Sequence, residues 1–197
     1  LQTGLFSVLT LIVGRLGTIQ ASAHQIVLNY SGFVFMVPLG LSMAITVCVG
    51  QLVGKGELNS SKRLAFHGIV LCLIISILGS YISFFYPSLI CSIYTDVPEV
   101  QNLAIPLLKI AAFVQIGDAI QTAASFALRG MKDTKIPMIM NFISYWVVGF
   151  SMSYILGVVL GYGTEGVWLG LIVALFFAGT CQMLRLAYLT RTFDPLH

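Results

Sequence analysis

Two ionisable residues stand where a charge is costly. Between Val100 and Leu128 the side chains are apolar or neutral except Lys109 and Asp118. If this stretch crosses a bilayer, a charge at its centre costs at least ~2.5 kcal/mol. Lys109 lies about ten residues from one end of the stretch, so its long stem can snorkel to the interface or line a wet cavity. Asp118 is deeper and its short side chain cannot. The two are nine positions apart, which at about 100° per residue puts them on opposite faces of a helix. They do not neutralise each other.

Asp118 has polar company on its own face. Gln115, Gln121, Thr122 and Ser125 fall at offsets of −3, +3, +4 and +7. Ile110, Val114 and Ile116 are assigned to the apolar surface of the same helix. A polar stripe of this kind borders other helices or water, not lipid. It allows two chemistries. A protonated Asp118 can make a structural hydrogen bond between helices, or the carboxylate can carry a proton or a cation. In a low-dielectric cavity an uncompensated carboxylate is costly, so binding either H⁺ or a metal cation relieves it.

Other polar groups at depth are Asn29 and Tyr30, and Asn141, Tyr145 and Trp146. Tyr and Trp near the ends of spans are common interface anchors. The Asn141 amide needs hydrogen-bonding partners. Gln115, Gln121, Thr122, Asn29, Asn141 and Tyr145 are the candidates for lining a substrate cavity. His24 reads as a structural residue before a ligand. Cys48, Cys72, Cys91 and Cys181 sit in apolar runs without a CxxC pair and read as buried small hydrophobes. No Ser-His-Asp set, phosphate loop or HExxH motif occurs, so no ATP hydrolysis or other enzymatic activity is expected.

The elements that must position these groups follow from composition. Of 197 residues 58% are hydrophobic and 9% charged, against about 25% charged in soluble domains. A soluble globule of this size has too little interior to hide so much apolar surface. Residues 16–54, 64–95, 136–164 and 166–184 contain no Asp, Glu, Lys or Arg. A helix needs about 20 apolar residues to cross the ~30 Å hydrocarbon layer. The runs are continuous, not alternating as in a barrel strand. The fold class expected is therefore all-α integral membrane, with six transmembrane helices. The spans are placed at Leu1–Leu16, His24–Gly54, Leu64–Tyr86, Val100–Arg129, Ile136–Leu160 and Gly166–Tyr188. Pro38 should bend the second. The short links are rich in breakers, as in Gly54-Lys55-Gly56, Asp96-Val97-Pro98 and Gly161-Tyr162-Gly163.

Loop charge sets a topology. The 55–63 and 129–135 loops are each +2 and the C-terminal tail, with Arg185, Arg191 and Asp194, is +1. The alternate connections hold Arg15, then Asp96 with Glu99, then Glu165. Basic loops favour the cytoplasm, which places both chain ends inside. The net charge of +3 follows from this bias, not from a basic stripe for nucleic acid, so no nucleic-acid partner is expected. The chain starts at Leu1 inside an apolar run whose first 14 residues, Leu1–Gly14, are short for a span. The expectation is a fragment whose N-terminal part is missing.

Several strings, in order, resemble one family. They are Ala23-His24-Gln25-Ile26; Val49-Gly50-Gln51-Leu52-Val53-Gly54-Lys55-Gly56; Gln115-Ile116-Gly117-Asp118-Ala119-Ile120-Gln121; Leu128-Arg129-Gly130-Met131-Lys132-Asp133-Thr134 with Pro137; Tyr145-Trp146 with Gly149; and Gly166-Val167-Trp168-Leu169-Gly170. Together they resemble the C-terminal half of multidrug and toxic compound extrusion (MATE) transporters of the NorM-like bacterial branch. The resemblance runs the length of the chain.

It implies a twelve-helix fold of two six-helix lobes, with residues 1–197 as the second lobe, helices seven to twelve, and an N-terminal lobe as partner. It implies a multi-pass protein of the cytoplasmic (inner) membrane that exchanges inward H⁺ or Na⁺ for an amphipathic, often cationic drug. No cofactor is implied beyond that coupling ion, and no tightly bound metal. The coupling-ion carboxylate of the tenth helix maps onto Asp118, a possible Na⁺ ligand. A tyrosine of some members maps onto Val114, and a seventh-helix glutamate maps onto Gln2, which offers a carbonyl oxygen without charge. With one carboxylate a Na⁺ site is weakened, since hard cations favour charged oxygens. Proton coupling gains weight, or the ion binds elsewhere. The alternatives are a lipid-linked precursor flippase of the wider superfamily, which should line its cavity with cations; a membrane-embedded lipid enzyme, for which no nucleophile or metal set is seen; and a non-transporting truncated remnant.

Overall fold

A computed structural model describes residues 2–15 and 17–192. The helices are α1 (Gln2–Gly14), α2 (Thr18–Gly54), α3 (Leu58–Phe85), α4 (Pro87–Tyr94), α5 (Pro98–Gly130), α6 (Lys135–Phe142), α7 (Phe150–Tyr154) and α8 (Gly163–Thr192). Two π-helical segments, Ile143–Gly149 and Ile155–Val159, join α6 and α7 into one 25-residue span, Lys135–Val159. Among the described residues five spans are long and apolar enough to cross a membrane: α2, α3, α5, Lys135–Val159 and Gly163–Arg191. The sixth helix, α1, has 13 residues, about 20 Å of rise.

The observed helices run past several expected ends. α2 begins at Thr18, six residues before the expected His24, and α3 begins at Leu58, six before Leu64. Charge marks where hydrocarbon ends, not where backbone hydrogen bonding ends. Helix therefore continues through Lys62 and Arg63 into water. The eight-residue α4 was not expected. Pro87 at its first turn lacks only a donor that has no intrahelical partner there. Ile90 and Cys91 pack inward while Leu89 and Ile93 face out.

α5 is the central helix. In its most apolar stretch 56% of residues are buried, and in that of α8 50%, against 22–28% for the other three spans. Small side chains make this possible: Ala104, Ala111, Ala112, Ala119, Ala123, Ala124 and Ala127 are all at most 4% exposed. Small residues let membrane helices approach closely. On α5 the tightest such point against α2 is Gly130, where an added Cβ would lie 2.8 Å from the Thr46 carbonyl oxygen. Thr46 Oγ1 also donates to the Phe126 carbonyl at 2.8 Å, tying the same two helices.

The interior holds two apolar cores. One takes Leu5 and Leu9 of α1, Ala23 and Val27 of α2, residues 100–114 of α5, and Val167–Leu175 of α8. The other takes Ile45 and Val49 of α2, Ala65 and Ile69 of α3, and Ala123–Leu128 of α5. Between them α5 carries its polar residues, Gln115 to Thr122. Outside, Leu11, Phe33, Leu78, Val159 and Leu184 are exposed, as suits a lipid-facing surface.

Candidate functional site

Asp118 sits at the seam between the two cores. It is 8% exposed, and Thr122 Oγ1, one helical turn on, lies 3.4 Å from its Oδ1. The stripe expected around it is internal: Gln115, Gln121, Thr122 and Ser125 are all buried. Lys109, on the opposite face, is exposed.

Serines of α3 hold this stretch of α5 in place. Ser76 Oγ donates to the Gln115 carbonyl and Ser80 Oγ to the Ala112 carbonyl, each at 2.8 Å. Gln115 Nε2 donates to Ser83 Oγ at 3.1 Å. Sequence reasoning missed these serines. Their spacing, 76, 80 and 83, was the signal, since i, i+4 and i+7 share one helix face.

Two cavities flank the stripe. The first, about 250 Å³, is walled by Phe6, Phe35 and Trp168 with Val114, Gln115 and Asp118. Val114 was assigned to the apolar surface of the helix. It is 4% exposed and faces the cavity, because positions 114 and 118 are one turn apart on the same side. The wall residue Trp168 is fixed by a chain of hydrogen bonds. Its Nε1–H donates to His24 Nδ1 at 3.0 Å, and His24 Nε2 lies 3.2 Å from Thr10 Oγ1. Thr10 Oγ1 in turn donates to the Phe6 carbonyl at 2.8 Å. With Nδ1 accepting, the Nε2–H tautomer completes every bond. His24 is thus structural, as its sequence context suggested, and joins α1, α2 and α8.

The second cavity, about 500 Å³, is lined by Gln121, Thr122, Ser125, Arg129, Asn141 and Tyr145 among others. Asn141 is a three-helix node. Its Oδ1 accepts from Gln121 Nε2 at 3.0 Å and from Gln182 Nε2 at 2.6 Å. Gln182, fully buried on α8, was not singled out from the sequence. Its position in a charge-free apolar run was the available signal.

The candidate residues therefore divide. Gln115 joins Asp118 at the first cavity; Gln121, Thr122, Asn141 and Tyr145 line the second. Asn29 joins neither. It is exposed and its Nδ2 donates to the Gln25 carbonyl of its own helix at 3.0 Å, because its face of α2 points away from α5. The Gln2 side chain lies outside the described residues. The four cysteines are free thiols. Cys72 and Cys91 are buried, but Cys48 is exposed and Cys181 only partly covered, so burial holds for two of the four. Cys48 and Cys181 lie on turns of α2 and α8 that face away from the cores.

A bundle of apolar helices around a buried carboxylate, five of its spans long enough to cross a bilayer among the described residues, defines the class as a multi-pass membrane protein. Comparison with known proteins fixes the family. The MatE family model matches residues 1–155, and the chain belongs to the MatE family. It is 38% identical over 192 residues to the "Probable multidrug resistance protein NorM" of Bacillus anthracis, covering 98% of this chain and 42% of that protein. It is 37% identical over 192 residues to the multidrug resistance protein NorM of Photobacterium profundum, with 95% and 42% covered. The crystal structure of the eukaryotic MATE transporter AtDTX14 superposes with a TM-score of 0.87 at 20% identity, over 95% of this chain and 44% of that one. The chain thus spans less than half the length of the relatives it matches.

Proposed function

We propose that this chain is the second lobe of a secondary multidrug transporter that expels amphipathic, cationic drugs in exchange for an inward-moving cation. The observation that carries the reading is Asp118, buried at the seam of two cores and facing a cavity walled by Phe6, Phe35 and Trp168. A carboxylate among aromatic rings suits a cation with an apolar body, through charge and through cation–π attraction. The same carboxylate suits H⁺ or Na⁺. When the ion binds, the site no longer holds a cationic drug, which gives exchange. Rocking of this lobe against another would supply alternating access. The NorM relatives, named for multidrug resistance, support the direction and cargo.

With Gln2 where the family resemblance places a glutamate, Asp118 is the one carboxylate of the proposed site, which favours H⁺ over Na⁺. Among the described residues the first cavity has no Lys or Arg in its lining, which weighs against a flippase for anionic lipid-linked precursors. The basic 55–63 and 129–135 loops support a topology with both chain ends in the cytoplasm and the protein in the inner membrane.

The test is drug efflux by the full-length protein in proteoliposomes under an imposed pH or Na⁺ gradient. Asp118→Asn keeps shape and hydrogen bonding but neither titrates nor carries charge, so coupled efflux should be lost while expression persists. Asp118→Glu should keep part of it. Gln2→Glu adds a second carboxylate and should raise Na⁺ dependence. Coupled efflux by Asp118→Asn at the wild-type rate would remove Asp118 from the mechanism.

A further inference from the structure

Lys109 lines neither of the two cavities. It is exposed on the face of α5 opposite Asp118, and among the described residues it makes no ion pair or hydrogen bond. The contacts between α3 and α5 fix its depth. Ser76 Oγ donates to the Gln115 carbonyl and Ser80 Oγ to the Ala112 carbonyl, so the two helices run antiparallel, turn against turn. Phe84, one turn beyond Ser80, then falls level with about residue 108. α3 ends at the next residue, Phe85. From Leu64, the first residue after Arg63, to Phe85 the helix rises about 33 Å, which just covers the ~30 Å hydrocarbon layer. Lys109 therefore stands at the boundary of that layer, within reach of the headgroups by its own stem.

Exposed rings lie beside it. Phe113 follows Lys109 by one turn, and positions i and i+4 are neighbours on a helix surface. The Phe113 ring meets Phe84 of α3 at 6.1 Å, Phe84 meets Phe85 at 5.3 Å, and Phe85 meets Tyr81 at 4.6 Å. All four rings are 39–61% exposed, so the strip is open along its length. Asn102, seven residues outward from Lys109 on the same side of α5, is exposed as well. Read inward, this face carries an amide, then an ammonium group, then aromatic rings. A phospholipid has the matching order of polar headgroup, phosphate and acyl chain.

We propose that this face of α5 and α3 binds an anionic phospholipid, with its phosphate on Lys109 and its chains across Phe113 and Phe84. Charge complementarity selects the occupant. The cation has no partner in the described chain, and lipid phosphate is the anion present at this depth. A zwitterionic headgroup carries its own ammonium beside the phosphate, so an anionic one is attracted more strongly. A second copy in a two-fold contact centred here would set Lys109 against Lys109. A lobe that shared the first cavity, as in the antiport reading, would meet the Asp118 side of α5, half a turn away. The lipid site itself needs only that α5 spans the membrane.

The experiment uses the full-length protein in vesicles, with Phe113→Trp as a local probe. Its added emission is quenched by dibrominated phosphatidylglycerol or by dibrominated phosphatidylcholine. Phosphatidylglycerol should reach half-quenching at a mole fraction about fivefold lower. Lys109→Gln should bring the two lipids to equality, and Lys109→Arg should restore the difference. Equal quenching by both lipids with Lys109 in place overturns the site, and so does a preference that survives Lys109→Gln. Quenching by neither lipid overturns it too, because protein then covers this face. If Lys109→Gln does not reach the membrane, salt decides: the preference should fall at least about twofold between ~0.05 and ~0.5 M NaCl. A preference unmoved by salt overturns the phosphate contact. Asp118→Asn should leave the lipid preference unchanged, so its effect on efflux and the effect of Lys109→Gln on quenching are separate results.

Discussion

The hydrogen bond between Trp168 and His24 allows a quantitative test of how the first cavity is built. Both residues are fully buried, and the indole N–H has His24 Nδ1 as its acceptor at 3.0 Å. His24→Leu keeps much of the volume but leaves that N–H without a partner, at a cost of about 1–3 kcal/mol. Trp168→Phe leaves Nδ1 without its donor and adds a void beside Asp118, so its cost is the larger of the two. In the double variant neither orphan exists. It should therefore be less destabilised than the sum of the single variants by about 1–3 kcal/mol. Equilibrium unfolding in mixed micelles, followed by far-ultraviolet circular dichroism, gives the three values. Circular dichroism is preferred because Trp168 itself is an emitting residue. Additivity within about 0.5 kcal/mol would show that the two side chains are merely neighbours, and the account of the wall would fall.

Two further outcomes are expected. With single cysteines at Lys62 and Glu99, an impermeant thiol reagent added outside intact cells should reach position 99 and not 62, and labelling of 62 would invert or break the proposed topology. Gly130→Ala should destabilise the protein by about 1–3 kcal/mol in the same unfolding assay, because the new methyl meets backbone oxygen at Thr46 and the Val49 side chain at 2.8 Å; an unchanged midpoint would mean that α2 and α5 can separate freely there.

Sequence alone determined which physical environment the chain occupies. Charge-free runs of span length force helices into lipid, since backbone polar groups there must be satisfied within the segment. A stripe at offsets of −3, +3, +4 and +7 around Asp118 was enough to turn one face of α5 inward, because helical periodicity is local. The family strings were legible for the same reason: they are short and contiguous. Partners from distant segments were not legible. Nothing near Asn141 signals Gln182, 41 positions away, and nothing near His24 signals Trp168, 144 away. Where Val114 and Asn29 lie was not legible either, because an apolar side chain can line a cavity as readily as face lipid, and an amide can be satisfied by its own helix. The alternation of α and π turns between Lys135 and Val159 also has no local marker. It lies where Gly149 and Gly157 let that span press against α8. Periodicity says which face turns inward; only packing between helices decides what that face meets, because the meeting brings together residues whose separation along the chain carries no information.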